Sequence, residues 1–327
     1  MRLATRANGT PDGELILVSG DGTRCLPAGI NAPNLLAAIA RWTEAATALQ
    51  PLCTQLANGD GEALDPAKLR APLPRSWQWL DGSAFATHGE LMQVAFGTDP
   101  TDPDRPLMYQ GMSDRFLGPL EDVPMPDEAL GIDFEGEFGV VVDFVPMGVT
   151  PAQAADHIKL LVQINDWSLR TLAPIEMKTG FGWVQAKPAC SMAPFAITPD
   201  ELGDDWHDDR VCCDLTIHWN GRRFGKVSGA GMAFSFAQLV AHAARTRDLV
   251  AGTIIGSGTV SSPDYENVGS ACISERRAIE MITQGAPQTS FMAFGDTVRM
   301  AGTQADGFEP FGVIEQSVVQ ACAGARS

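Results

Sequence analysis

Basic residues are scarce in this sequence. Its 327 residues hold 23 Lys and Arg against 40 Asp and Glu, a formal net charge of -17. So acidic a chain lacks the clustered cations that displace counterions from phosphate, which argues against nucleic acid as a partner and against an anionic membrane surface. Long apolar runs are missing too. No stretch approaches the roughly 18 residues that would span a bilayer, and the N-terminus, Met1-Arg2-Leu3-Ala4-Thr5-Arg6, has no apolar signal-peptide core. The seven cysteines (25, 53, 190, 212, 213, 272 and 322) are odd in number and scattered, without a CxxC pair. Neither a zinc site nor a disulfide framework is indicated, and the expectation is a cytoplasmic protein with free thiols. Acidity does not exclude an anionic small molecule, because a few buried cations or a bound metal can dominate the local field.

What is present reads as a small N-terminal unit over residues 1–73 followed by a larger part over 74–327, with Pro72 and Pro74 at the boundary. In the first unit two short apolar runs, Glu14 to Val18 and Arg24 to Leu26, flank the turn Ser19-Gly20-Asp21-Gly22, a hairpin signal. Asn34 opens an alanine-rich helix through Trp42, and Asn58-Gly59-Asp60-Gly61 ends the helical stretch. Beyond the boundary strands predominate. Asp133 to Val145 is β-branched and apolar and reads as strand, and Val211 to Trp219 leads into an Asn220-Gly221 hairpin turn. Two helices are expected: one from the Thr150-Pro151 start through Leu161, and one over Leu239 to Arg247 behind a Ser235/Gln238 capping box. Many short strands with few helices point to an α+β, mainly β fold, a folded-over sheet or β-roll rather than a doubly wound α/β sheet.

The most informative segment is Asp133-Phe134-Glu135-Gly136-Glu137-Phe138. Side chains two apart in a strand share a face, so Glu135 and Glu137 project together while Phe134 and Phe138 face the other way. Two carboxylates about 5 Å apart at an effective dielectric near 20 repel by about 3 kcal/mol. Either the pair lies on a solvated strand edge or a cation offsets the repulsion, and an all-oxygen site suits magnesium, calcium or manganese. A third acid, Asp166, stands where the apolar run of Gln163-Ile164-Asn165-Asp166-Trp167-Ser168-Leu169-Arg170 gives out, as a helix cap or a ligand. Lys187, in Gln185-Ala186-Lys187-Pro188, is either a surface lysine or a partly buried oxyanion stabiliser.

These motifs, followed by Gly258-Thr259-Val260-Ser261-Ser262, occur in the order seen in the fumarylacetoacetate hydrolase family, which the chain resembles over roughly residues 75 to 320. The resemblance implies a mixed β-sandwich roll of the fumarylacetoacetase C-terminal type, usually a homodimer, with a divalent cation (Mg2+, Ca2+ or Mn2+) held by Glu135, Glu137 and Asp166. Asp81 looks like the additional aspartate ligand of true fumarylacetoacetases, and His88, seven residues on, has the spacing of their catalytic histidine. Arg170, Lys187, Thr259 and Tyr109 match substrate contacts, with Arg170 and Lys187 also supporting catalysis. The sequence departs from the family pattern twice. A glutamine often found three residues past the arginine is Ala173 here, and the glutamate that should pair with the histidine falls at Ile273. Glu275, on the same face if that segment is a strand, is the substitute.

The resemblance implies hydrolysis of a carbon–carbon bond in a β-diketo acid, most simply fumarylacetoacetate to fumarate and acetoacetate. The metal would polarise a carbonyl, His88 would activate water, Glu275 would orient the imidazole, and Lys187 and Arg170 would support the developing negative charge. Rival readings are acylpyruvate hydrolysis, 2-oxo acid decarboxylation, and dienoate hydration or isomerisation. Outside catalysis the rival is a metal-binding protein, which has no need of a base at His88. His157, His207, His218 and His242 read as structural or exposed.

Overall fold

The computed structural model describes residues 1–96 and 102–322. The expected larger unit therefore includes short stretches, 97–101 and 323–327, that lie outside the described residues. Among the described residues an 11-stranded sheet forms the backbone of the molecule. It runs from Glu62–Ala63 through Arg24–Pro27, Glu14–Val18, Arg2–Arg6, Ala196–Ile197, Ile158–Asn165, Gly136–Val142, Ile254–Gly256 and Trp79–Ser83 to Leu107–Gly111, with Ser191–Met192 paired beside Ile158–Asn165. The N-terminal hairpin is thus continuous with the larger part, because Arg2 and Leu3 pair with Ile197 and Ala196. A 5-stranded sheet, in the order Arg222–Ser228, Asp214–Trp219, Thr297–Thr303, Ile314–Gln320 and Val123–Met125, lies against it. The architecture is α+β and mainly β.

Strand Gly136–Val142 shows how the layers are set. It is wholly buried and alternates between two cores. Phe138, Val140 and Val142 face one core with Leu215, Ile217, Met300 and Ile314 of the second sheet. Val141 faces the other with Leu35, Ile39, Leu49 and Leu56 of the helices Leu35–Ile39 and Trp42–Ala57. A central strand flanked on both faces carries apolar residues at nearly every position. Glu137 is therefore an exception that needs a physical reason.

Several expected elements form as read. Asn34 caps its helix by accepting from the Ala37 amide, and Glu14–Val18 pairs with Arg24–Pro27. Ser235 and Gln238 make a reciprocal capping box. Asn220 and Gly221 both take positive φ at the hairpin turn, as a tight right-twisting turn requires. Others differ. The helix at Thr150 spans only Pro151–Ala155, and Ile158 to Leu161 belong to strand Ile158–Asn165. A sequence rich in Ile, Leu and Val beside a long strand gains more from central-sheet pairing than from helix. The helix behind Ser235 is Phe236–Ala243, starting and ending earlier than expected. The strand expected over Asp133 to Val145 breaks at Phe134 into Ile132–Asp133 and Gly136–Val142. The segment holding Glu275 is a helix, Ile273–Gln284, not a strand. No helix among the described residues is long and apolar enough to cross a membrane.

Candidate active site

The site grows from one face of the large sheet. Tyr109, Asp81, Gly256 and Gly139 stand in one row of paired residues across four strands. Gly256 leaves room beside a carboxylate: a Cβ on it would lie 2.5 Å from Asp81 Oδ1 and 2.3 Å from the Trp79 ring. Glu137, two residues from Gly139 on the same face, and Asp166, just past the end of Ile158–Asn165, complete the acidic side. One oxygen each from Asp81, Glu137 and Asp166 lies within 4.8 Å of the other two, and all three side chains are buried. Both carboxylate oxygens of Glu137 are buried without a hydrogen-bond partner.

A buried acid with two orphaned oxygens beside two further carboxylates is costly without a compensating charge. Desolvation pushes the Glu137 carboxyl well above the ordinary range, and Asp81, Asp166 and Glu135 add to the rise. Asp81 is pushed up for the same reasons, burial first and Asp166 second. Three converging hard oxygen donors, with both Glu137 oxygens unpartnered, fit a divalent cation such as magnesium, calcium or manganese.

Glu135 stands apart from that trio. Its carboxylate takes the Lys187 ammonium at 2.6 Å and lies 3.1 Å from an Arg170 Nη. It also accepts from the Ser168 and Thr259 hydroxyls. Burial alone raises its pKa, but Arg170 and Lys187 outweigh that and hold it far below the usual carboxylate range. Lys187 Nζ reaches Asp166 as well, at 2.5 Å, so it bridges the cation-ready trio to Glu135. Asp166 is further fixed by the Tyr109 hydroxyl at 2.6 Å and by the Cys190 thiol at 2.9 Å.

His88 and Glu275 meet although the segment is not a strand. His88 lies in helix Ala86–Phe96 and Glu275 in the first turn of Ile273–Gln284, and the two helices pack together. His88 Nδ1 stands 3.0 Å from Glu275 Oε2, with the glutamate fully buried and the imidazole partly open. Such a partner places the ring proton on Nδ1 and leaves Nε2 as the free base. Asp133 holds the arrangement together. Its carboxylate accepts from the Ile273 and Ser274 amides, capping the helix that presents Glu275, and from Arg170 Nε at 2.8 Å.

The expected site residues are brought together around one centre, where Glu135 sits between Lys187 and Arg170 and the converging trio is Asp81, Glu137 and Asp166. The sequence reading assigned no role to Asp133, Ser168, Cys190 or Trp183. Asp133 and Ser168 sat inside the quoted motifs, whereas nothing marked Cys190 and Trp183. His157 pairs instead with Asp143 at 2.7 Å.

With this geometry in hand, comparison with known proteins is decisive for ancestry. The description "Fumarylacetoacetate (FAA) hydrolase C-terminal" matches residues 78–319, and "Fumarylacetoacetase N-terminal domain 2" matches residues 1–75. The chain belongs to the fumarylacetoacetate hydrolase family. A 2,4-didehydro-3-deoxy-L-rhamnonate hydrolase from Sphingomonas is 28% identical over 160 residues, 48% of this chain and 53% of that protein. The match thus spans about half the length of that relative. Among solved structures, maleylpyruvate hydrolase from Sphingobium, in complex with manganese and pyruvate, aligns with a TM-score of 0.66 at 16% identity, covering 98% of this chain and 100% of that one. A 5-carboxymethyl-2-hydroxymuconate delta-isomerase from Mycobacterium smegmatis aligns with a TM-score of 0.62 at 20% identity, covering 99% and 100%. Structural likeness at these identities shows the shared fold.

Proposed function

We propose that this chain is a divalent-cation-dependent hydrolase that cleaves a carbon–carbon bond in a β-diketo acid of the acylpyruvate or fumarylacetoacetate type. The observation that carries the reading is the His88–Glu275 pair beside the buried acids, because a stability-only metal site has no use for an oriented base. Asp81, Glu137 and Asp166 would hold the cation, with Glu135, near enough to raise the Glu137 pKa, as a fourth ligand. When bound, the cation would polarise the substrate carbonyl and anchor its neighbouring oxygens.

The chain's own groups supply the rest. His88 Nε2 takes a proton from water while Glu275 balances the imidazolium that forms. The hydroxide adds to the carbonyl, the carbon–carbon bond breaks, and the electron pair leaves on the departing enolate carbon, which recovers the proton from His88. Lys187 and Arg170 are the cations nearest the acids and would offset the charge that develops on oxygen. Thr259 and Tyr109, which bond to Glu135 and Asp166, would border the substrate.

A panel of acetylpyruvate, fumarylpyruvate, maleylpyruvate and fumarylacetoacetate, followed by ultraviolet loss of the diketone with Mn2+ or Mg2+ present, tests this. Cation-dependent consumption of at least one, abolished by chelator, supports the reading. Inertness towards all four, together with turnover of a dienoate without bond cleavage, would assign an isomerase instead. The homodimer that the family resemblance implies belongs to the same proposal and is checked by light scattering.

A further inference from the structure

Between Arg170 and Lys187 the chain makes an excursion that buries little apolar surface. Ile175, Met177, Phe181 and Val184 on it are exposed, Phe181 almost completely so. Gly180 and Gly182 turn it back at positive φ. A loop with so few apolar contacts must be ordered by something else, since each fixed residue costs about 1–2 kcal/mol of backbone entropy.

That something is Glu176, in the short helix Ala173–Met177. Its carboxylate accepts from three consecutive backbone amides on the returning limb. Gln185 N reaches Oε1 at 2.9 Å, Ala186 N reaches Oε2 at 2.9 Å, and Val184 N stands 3.2 Å from both oxygens. A carboxylate offers about four acceptor sites, and amide bonds to a charged acceptor are about twice as strong as neutral ones. The next residue is Lys187. The other side of Ala186 is clamped as well, because its carbonyl accepts from Leu169 N at 2.8 Å. The same three amides follow directly on Trp183, whose ring meets Tyr109 edge-on at 4.8 Å. The Lys187 ammonium lies 5.3 Å from the Tyr109 ring and 5.4 Å from the Trp183 ring, within cation–π range of both.

We infer that Glu176 is a positioning residue for Lys187: by holding amides 184–186 it sets the ammonium between the two rings and onto Glu135 and Asp166. Glu176 touches neither the acids nor a substrate and acts through the backbone it grips. This rests on the proposed role of Lys187 in the reaction, so the test separates where the lysine sits from what it does.

The experiment reads Lys187 directly. Wild type, Glu176→Gln and Glu176→Ala, each loaded with Mn2+, are pulse-labelled with an amine-reactive acetylating reagent, and each lysine is quantified by mass spectrometry. Lys187 is buried and bridged, whereas Lys226 is exposed and serves as the internal reference. The expectation is at least tenfold faster labelling of Lys187 in Glu176→Ala, an intermediate rate in Glu176→Gln, and no change at Lys226. Mn2+ affinity by calorimetry should hold or rise, because moving the ammonium off Asp166 and Glu135 removes a cation that competes with Mn2+ for them. Turnover of whichever diketo acid the wild type consumes should fall at least tenfold in kcat, with a smaller change in KM. Unchanged Lys187 labelling in Glu176→Ala overturns the inference, as does parallel acceleration at Lys187 and Lys226, which would mean general loosening. Faster Lys187 labelling with unaltered kcat keeps Glu176 as the positioning group and removes Lys187 from the chemistry.

Discussion

At the residue scale the site separates charges by what surrounds them. Glu135 and Glu137 are two positions apart and both buried, yet one sits among cations and hydroxyls while the other has no partner. In the proposed function that contrast makes Glu137 a cation ligand, and His88, oriented by Glu275, is the base. His88→Ala should leave Mn2+ binding within about threefold of wild type while kcat falls by about 10²–10⁴, the usual contribution of base catalysis. A kcat within a factor of a few of wild type removes His88 from the mechanism. The motif residues themselves were legible in the sequence, because ExE and NDW carry their acids at fixed offsets. Their division of labour was not, because it depends on Lys187 arriving from 52 positions away.

At the element scale, two glycines and one helix decide how well the acids are held. Gly258 takes φ +74°, donates its amide to Asp81 Oδ1 at 3.0 Å, and has no room for a Cβ against the Gly82 carbonyl. Gly256 has ordinary φ but faces the rigid Trp79 ring. Gly256→Ala should therefore cost about 1–3 kcal/mol by overpacking and weaken cation binding by displacing Asp81. Calorimetry and thermal melts of the same sample check both, and a stable variant with unaltered affinity would mean the strand can shift freely. The helix Ile273–Gln284 is secured at its far end by Glu280, which accepts from Gln288 N, Thr289 N and the Thr289 hydroxyl. Burial pushes this carboxyl up, but those three donors and Arg276 outweigh it and hold it below the usual range. A lowered folded pKa contributes stability above the unfolded value, roughly 4.3, and loses it as pH falls through the folded value. Glu280→Gln should cost about 1–3 kcal/mol near neutral pH. The gap to wild type should narrow as pH drops below the ordinary glutamate range. A gap independent of pH down to acid unfolding would show that the charge contributes nothing.

At the scale of the whole molecule, Asp81 and Glu137 lie on two strands of the large sheet and Asp166 just past the end of a third, so a cation that binds them stabilises the fold by mass action. At a hundredfold excess over Kd the gain is about 2.7 kcal/mol, seen as a higher Tm with Mn2+ or Mg2+ and its reversal by chelator. Glu137→Ala should melt at or above the metal-free wild type, having shed a buried carboxyl with no hydrogen-bond partner, and should not respond to either ion. A Tm rise in Glu137→Ala equal to that of wild type would place the cation elsewhere.

The sequence by itself determined the mainly β class, the hairpins at Ser19-Gly20-Asp21-Gly22 and Asn220-Gly221, and the helix caps at Asn34, Thr150 and Ser235. These are local properties, set by turn chemistry, capping and period-two patterning over a few residues. The tertiary structure decided what depends on distant neighbours. It turned Ile158–Asn165 into a central strand, because sheet pairing on both sides outweighs the helical start at Thr150. It also brought Glu275 to His88 from a helix rather than a strand, because Asp133, far away in sequence, caps that helix and aims its first turn at the site.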